Sequence, residues 1–134
     1  MEQIISIVIT IANKELPQAL FSSLDRQFCK DFEIIIYCPA EDRVTLENSL
    51  SKFEFKKARF FFQEGSRARD YNTLIQSETL GVLFLEEDQL LKENAIAEII
   101  TVARSTANPQ LIYSGYSFYT TNYNREIVEF EEHT

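Results

Sequence analysis

The residues best suited to chemistry are three consecutive carboxylates, Glu86, Glu87 and Asp88, which directly follow the apolar run 82–85. Like charges this close repel one another, and a divalent cation bound through oxygen would relieve the repulsion. If the strand continues through them, Glu86 and Asp88 point to the same side and can both reach one Mg²⁺ or Mn²⁺ ion. The alternative is a solvated acidic turn that supplies negative charge near the start of the next helix.

A second candidate is the turn that follows the first apolar run, residues 10–15. Its main-chain amides and the hydroxyl of Thr10 could hold a base or a ribose. Asn13 is either a further polar contact in that site or a helix cap, which is the more common role of asparagine at such a position.

A third candidate is the segment 64–72, in which Gly65 precedes a predicted helix that carries Arg67 and Arg69 near its start. Helix N-termini favour anions, and the guanidinium fork matches phosphate oxygens. The segment therefore predicts a phosphate contact. The alternative is a solvated loop whose arginines neutralise nearby acids.

Other kinds of site are disfavoured. The only histidine is His133, so a histidine-based triad or a zinc site is not expected. Cys29 and Cys38 are too few for a metal knuckle. A strand over 32–38 would separate them by roughly 20 Å, so we expect free thiols, as in a reducing cytosol. The chain contains neither a G-x-G-x-x-G sequence nor a P-loop.

Charge and hydropathy limit the classes of partner that the chain is expected to bind. The net charge is −8, and the basic residues form short groups and no stripe that could coat a nucleic acid. No apolar run reaches the ~18 residues of a membrane span, and the first residues lack the pattern of a signal peptide. We therefore expect a cytoplasmic protein with no nucleic-acid partner and no membrane span.

The elements that position these candidates alternate along the chain. Apolar runs typical of buried strands alternate with amphipathic helical patterns. The predicted strands are 4–9, 32–38, 58–62 and 82–85, and the predicted helices are 15–28, 42–53, 68–77 and 92–104. Phe28 is expected on the apolar face of the first helix, and Asp42 is the expected N-cap of the second, which carries the apolar residues Val44, Leu46, Leu50 and Phe53. This order predicts an α/β fold with a mostly parallel sheet and helices on both faces. A C-terminal β-hairpin of residues 111–119 and 126–130 follows, within a single domain, 1–134. Ligands of such sheets bind beyond the carboxyl ends of the strands.

Three sequence segments in this order resemble the N-terminal half of family 2 glycosyltransferases, which have the GT-A fold. They are Thr10-Ile11-Ala12-Asn13-Lys14 after the first strand, Lys30-Asp31-Phe32-Glu33-Ile34-Ile35-Ile36, and Phe84-Leu85-Glu86-Glu87-Asp88-Gln89-Leu90-Leu91. The resemblance covers about residues 3–105.

The resemblance implies a nucleoside-diphosphate-sugar donor, bound with Mg²⁺ or Mn²⁺. It implies donor contacts at Thr10 and at Arg67 or Arg69, and it places Glu86 and Asp88 at the family's Asp-x-Asp motif. Three positions depart from the family pattern. Ala12 stands where an aromatic residue stacks on the base. Cys38 is a predicted donor contact at the position where the family has an aspartate that reads the nucleotide. Glu86 is one methylene longer than the family's first acid.

Two functions follow as expectations. The first is transfer of a sugar from a nucleotide donor to an acceptor hydroxyl, although no motif marks a catalytic base. The second is a degenerate, non-catalytic module of the same fold, used for binding or assembly. An unrelated flavodoxin-like domain is a third interpretation, which a different strand order would reveal. We also expect a homodimer, because half of a larger fold tends to expose apolar surface.

Overall fold

The computed structural model describes residues 5–12, 14–74, 80–105, 116–121 and 127–133. The elements in chain order are β1 (Ile5–Thr10), α1 (Gln18–Asp25), β2 (Phe32–Cys38), α2 (Arg43–Leu50), β3 (Ala58–Phe62), α3 (Arg67–Leu74), β4 (Gly81–Leu85), α4 (Ala95–Ser105), β5 (Tyr116–Thr121) and β6 (Ile127–His133). A short 3₁₀ turn, Ala40–Asp42, precedes α2.

Four strands form one parallel sheet in the order β3-β2-β1-β4. In the middle of the sheet Ile7 pairs with Ile34 on one side and with Leu83 on the other. All six residues of β1 are buried, as expected for a β-branched strand covered on both faces. The predicted α/β fold with a mostly parallel sheet is confirmed.

Helices cover both faces of this sheet. The larger core cluster lies on one face and joins the strands to α1, α2 and α4 through buried residues that include Leu20, Phe21, Leu24, Leu46, Ile96 and Ile100. The smaller cluster lies on the opposite face, where Leu74 and Tyr71 of α3 pack against Val8, Ile35 and Tyr37. Neighbouring residues of a strand point to opposite faces, so each strand contributes to both clusters.

The C-terminal hairpin consists of β5 and β6, which pair antiparallel from Tyr116↔His133 to Thr121↔Ile127. The predicted hairpin is confirmed, but its bounds differ. Both strands continue past the predicted ends at 119 and 130. Predicted strand residues 111–115 and 126 lie outside the described part of the chain.

Two helical predictions were wrong in detail. The pattern placed Phe28 on the apolar face of a helix over 15–28, but α1 ends at Asp25 and Phe28 is 72% exposed. Val44 was grouped with Leu46 among the apolar residues of the second helix, yet it is 68% exposed while Leu46 is fully buried. Residues two apart in a helix differ by about 200° around the axis, so both cannot face the sheet. Asp42 precedes α2 as predicted, but its side chain makes no capping hydrogen bond.

Both cysteines are free thiols, as predicted. Cys29 is half-buried and Cys38 is fully buried. Among the helices that the structure describes, none is long and apolar enough to cross a membrane.

Candidate functional site

The candidate site lies at the carboxyl edge of the sheet, where the strand order changes direction. The chain proceeds from β1 to β2 and β3 on one side, and β4 then pairs with the other side of β1. Connections on opposite sides of the central strand leave a crevice between its carboxyl end and that of its neighbour. The segments that follow β1 and β4 therefore border one space.

Contact between these two segments is direct. The main-chain N–H of Ala12 donates to Oε1 of Glu87 at 3.3 Å. On its other side the turn after β1 is held by the N–H of Ile11, which donates to the carbonyl of Tyr37 on β2 at 3.0 Å. The turn and the acidic triplet thus lie at the same edge of the sheet, as the sequence predicted.

The acidic segment itself is a turn and not a continued strand. β4 ends at Leu85, the N–H of Gln89 donates to the carbonyl of Glu86 at 3.2 Å, and the N–H of Glu86 donates to the Gln89 side chain at 2.7 Å. The strand alternation that was expected to align Glu86 with Asp88 therefore does not apply. Both side chains are nevertheless exposed, whereas Glu87 is half-buried.

Beyond this turn, the chain is held against α1 by a residue that the sequence analysis did not single out. Gln27 is buried, its side-chain amide donates to the carbonyl of Lys92 at 2.6 Å, and its oxygen accepts the N–H of Ile96 at 3.1 Å. Ser23 adds a bond from the N–H of Leu91, at 3.3 Å. The side-chain oxygen of Gln27 thus accepts an N–H of the first turn of α4, as an N-cap side chain would. The connection from the acidic turn to α4 is consequently fixed at both ends.

The two predicted arginines differ in their surroundings. α3 begins after Ser66, whose hydroxyl accepts the N–H of Arg69 at 3.2 Å, an ordinary N-cap bond. The side chain of Arg69 lies across Gly65, where a Cβ atom would be 3.1 Å from its Cδ. The guanidinium of Arg67 lies 6.0 Å from the ring centre of Tyr71. Both arginines are exposed near the carboxyl edge, because α3 follows β3.

Thr10 occupies a different environment from the one predicted. Its side chain is only 3% exposed, and its hydroxyl lies 2.6 Å from that of Tyr71. The hydroxyl that was predicted to hold a base or a ribose is therefore enclosed between β1 and α3. Tyr71 also stacks on Phe84 of β4, at 4.3 Å between ring centres, so one tyrosine joins α3 to both strands that border the crevice.

Tyr37 of β2 and Asp70 of α3 form a buried pair between the sheet and the start of α3. The Tyr37 hydroxyl donates to Oδ2 of Asp70 at 2.5 Å. This bond is the main cause that holds the pKa of Asp70 below its usual value, with further hydrogen bonds from the main chain of Glu64 and Gly65. Burial, together with the bond to Asp70, raises the pKa of Tyr37 to about 12. The carboxylate is thus ionised and the phenol neutral at neutral pH. Sequence patterns gave no signal for this pair.

The remaining predicted donor contacts are Cys38 and Asn13. The thiol of Cys38 is fully buried in the larger core cluster, and burial, with the nearby charge of Asp42, raises its pKa to about 11. A nucleotide would have to displace core side chains to reach this sulfur. Asn13 lies outside the described residues.

The metal site remains a prediction. Within the described ranges, no three side chains of His, Cys, Asp or Glu converge as a metal-binding group. Mg²⁺ in nucleotide sites is commonly held by one or two carboxylates together with substrate phosphates. The exposed carboxylates of Glu86 and Asp88 fit that donor set in number and in chemistry.

A separate open cleft of about 650 Å³ lies along β3 and α2, away from these residues. Its lining includes Arg43, Arg59, Phe60 and Phe62. Of the predicted site residues that the structure describes, none borders this cleft.

No family model matches the chain, and no curated protein matches it in sequence. Solved structures do share its fold. A crystal structure of residues 1–349 of S. aureus TarS matches 77% of this chain with a TM-score of 0.59 and 17% identity. The same region of TarS in complex with UDP matches with a TM-score of 0.58 and 18% identity, also over 77% of this chain. A 4-diphosphocytidyl-2C-methyl-D-erythritol synthase from Anaerococcus prevotii matches all of this chain and 70% of its own length, with a TM-score of 0.52 and 13% identity.

These likenesses establish the fold class. The chain shares the α/β fold, with its mostly parallel sheet, of the TarS and synthase structures. It spans about a third of the TarS structures of residues 1–349 that it matches, at 33% and 32% of their lengths. The predicted homodimer is not addressed by these likenesses and stays a prediction.

Proposed function

We propose that the chain binds a nucleoside-diphosphate sugar in the crevice between β1 and β4, as the donor side of a sugar transfer to an acceptor hydroxyl. The observation that carries the proposal is the bond from the N–H of Ala12 to Glu87, at 3.3 Å. This bond brings the turn after β1 and the acidic segment together at the edge where α/β sheets bind nucleotides.

The chain's own residues would divide the work of binding. The turn after β1, including Asn13, offers polar groups to the base and the ribose. Arg67, and Arg69 if its side chain leaves Gly65, offer positive charge to the diphosphate. No residue is assigned as the catalytic base.

Glu86 and Asp88 would hold the divalent cation. Their exposed carboxylates are oxygen donors of the kind that Mg²⁺ and Mn²⁺ prefer. When bound, such an ion neutralises charge on the departing diphosphate. Glu87 has a different role, because its carboxylate already accepts a bond from the turn after β1.

The solved structures support this assignment through their ligands. One TarS structure of residues 1–349 contains UDP, and another contains UDP-GlcNAc; each matches 77% of this chain. Because the chain spans about a third of those structures, the transfer step and the acceptor are part of the proposal and are not inherited from the fold.

A second candidate function is a non-catalytic binding or assembly module. Ala12 presents only a methyl group where the family resemblance implies an aromatic ring, and the buried thiol of Cys38 cannot replace an aspartate that reads the nucleotide. Each lost polar contact could weaken donor binding by about 1–3 kcal/mol.

Calorimetry with UDP, GDP and dTDP, each with and without Mn²⁺, tests the proposal. We expect binding of at least one nucleotide that strengthens with Mn²⁺ and loses this dependence in Asp88→Ala and in Glu86→Ala. Glu54→Ala is the matched control, because Glu54 is an exposed carboxylate that precedes the amino end of β3. Failure of all three nucleotides to bind at millimolar concentration would overturn the proposal and leave the second candidate.

A further inference from the structure

Asp70 is a buried carboxylate that the proposed function does not use. It is 2% exposed and belongs to the first turn of α3, the same turn that carries the two arginines. An ionised group in such a place requires compensating donors. Here they come from Tyr37 on β2 and from the main chain of Glu64 and Gly65.

These bonds fix the loop that leads into α3. The N–H of Glu64 donates to Oδ2 of Asp70 at 3.3 Å, and Gly65 adds a second main-chain bond. Arg69 lies across Gly65 and adds a positive charge that further lowers the pKa of Asp70. Arg69 is thereby engaged with the loop, whereas Arg67 lies against Tyr71, whose hydroxyl contacts the end of β1.

Tyr37 connects the same loop to the turn after β1. Its side chain donates to Asp70, and its main-chain carbonyl accepts the N–H of Ile11 at 3.0 Å. The ring of Tyr37 also lies 5.6 Å from that of Tyr71, between centres. One residue of β2 therefore fixes two of the segments that border the proposed site.

We propose that Tyr37 and Asp70 are a pair of positioning residues, which hold residues 64–66 and the start of α3 so that Arg67 faces the diphosphate. The inference rests on the proposed function for the identity of the ligand. Neither residue touches that ligand. Arg67 is the arginine that makes the contact, and Arg69 acts by covering the loop.

The test compares UDP affinity with stability in Asp70→Asn and Tyr37→Phe, with Thr73→Ala as the control. Thr73 is an exposed residue of α3 whose hydroxyl donates to the carbonyl of Arg69. At a temperature where circular dichroism shows every variant folded, we expect both pair variants to bind UDP about tenfold more weakly and the control to bind normally. A lower Tm with unchanged UDP affinity would mean a merely structural role and would overturn the inference.

A double variant distinguishes positioning from a general loss of order. If the pair acts through Arg67, adding Asp70→Asn to Arg67→Gln weakens UDP binding no further than Arg67→Gln alone. Additive losses in the two variants would contradict the inference. Tyr37→Phe repeats the comparison without removing the buried charge, and so covers the case in which Asp70→Asn fails to fold.

Amide hydrogen exchange without nucleotide separates this inference from the proposed function. We expect faster exchange at Glu64 and Gly65 in Tyr37→Phe, with exchange in β1 unchanged. If the natural protein binds no nucleotide, the proposed function fails while faster exchange still supports a pair that holds the loop. Unchanged exchange at both amides overturns the inference whatever the nucleotide result.

Discussion

The hydroxyl oxygens of Thr10 and Tyr71 lie 2.6 Å apart, at the point where the end of β1 meets α3. The sequence predicted that the Thr10 hydroxyl would contact a ligand, but the bond to Tyr71 encloses it. In the unliganded protein, the Thr10 hydroxyl therefore stabilises the packing of α3 on the sheet.

Substitution of Thr10 by valine should lower the free energy of unfolding by about 1–3 kcal/mol, because valine keeps the shape and leaves the Tyr71 hydroxyl without this partner. Urea unfolding followed by circular dichroism measures the change. Adding Tyr71→Phe should cost less than the sum of the two single substitutions. Thr45→Val, at an exposed position of α2, should change stability by less than about 0.5 kcal/mol. Additive losses at Thr10 and Tyr71 would contradict a bond between them.

Gln27→Leu should destabilise the protein more than a surface substitution does. It removes the donor to the carbonyl of Lys92 and the acceptor for the N–H of Ile96, and each lost bond to a buried group costs about 1–3 kcal/mol. Gln18→Leu, at the exposed first residue of α1, is the control. Equal midpoints of urea unfolding for the two variants would show that Gln27 is not needed to hold the segment before α4.

Stability should fall at high pH because of Tyr37. Its pKa is raised from 10.0 to about 12, chiefly by burial and then by the bond to Asp70. The folded state keeps this proton to higher pH than the unfolded state does. The contribution of Tyr37 to the free energy of unfolding is therefore complete below about pH 10, and it disappears as the pH rises through about 12. Titration of tyrosinate absorbance should show a late phenol that is missing in Tyr37→Phe. An unchanged amplitude of the late phase in this variant would refute the assignment.

The buried thiol of Cys38 should resist modification in the folded protein. Burial and the charge of Asp42 raise its pKa to about 11, so little thiolate is present at pH 8. In Cys29→Ser, Ellman's reagent should report almost no reaction until urea unfolds the chain. The converse variant, Cys38→Ser, retains the half-buried Cys29, which should react faster. Rapid reaction of folded Cys29→Ser would contradict the burial.

The sheet could be predicted from the sequence because its strands are short and strongly apolar. The bounds of β2 and β3 agree with the prediction, since Pro39 follows one strand and the other is an unbroken aromatic run, Phe60–Phe62. The helices were predicted less well. An apolar residue at a suitable spacing, such as Phe28 or Val44, does not reveal where the helix ends or which side meets the sheet.

The candidate site could be predicted only in part, for a physical reason. Residues that follow parallel strands lie at the carboxyl edge of the sheet. The proximity of the turn after β1 to the acidic segment could therefore be predicted from the strand order. The bonds made by Gln27, Asp70 and Tyr71 join residues far apart in the chain, and no local pattern marks them. The enclosure of Thr10 follows from one such bond.

The strand order also determines when a site of this kind can exist. Ala12 and Glu87 are 75 positions apart, and β4 pairs with β1, so the chain must return across β2 before those residues can meet. Closing so long a loop costs entropy before any contact compensates for it. A nascent chain that has not yet reached Gly81 can pair β1, β2 and β3 but lacks the acidic border of the crevice. The proposed ligand site therefore forms only with the last strand to join the parallel sheet, and an incompletely folded chain lacks it.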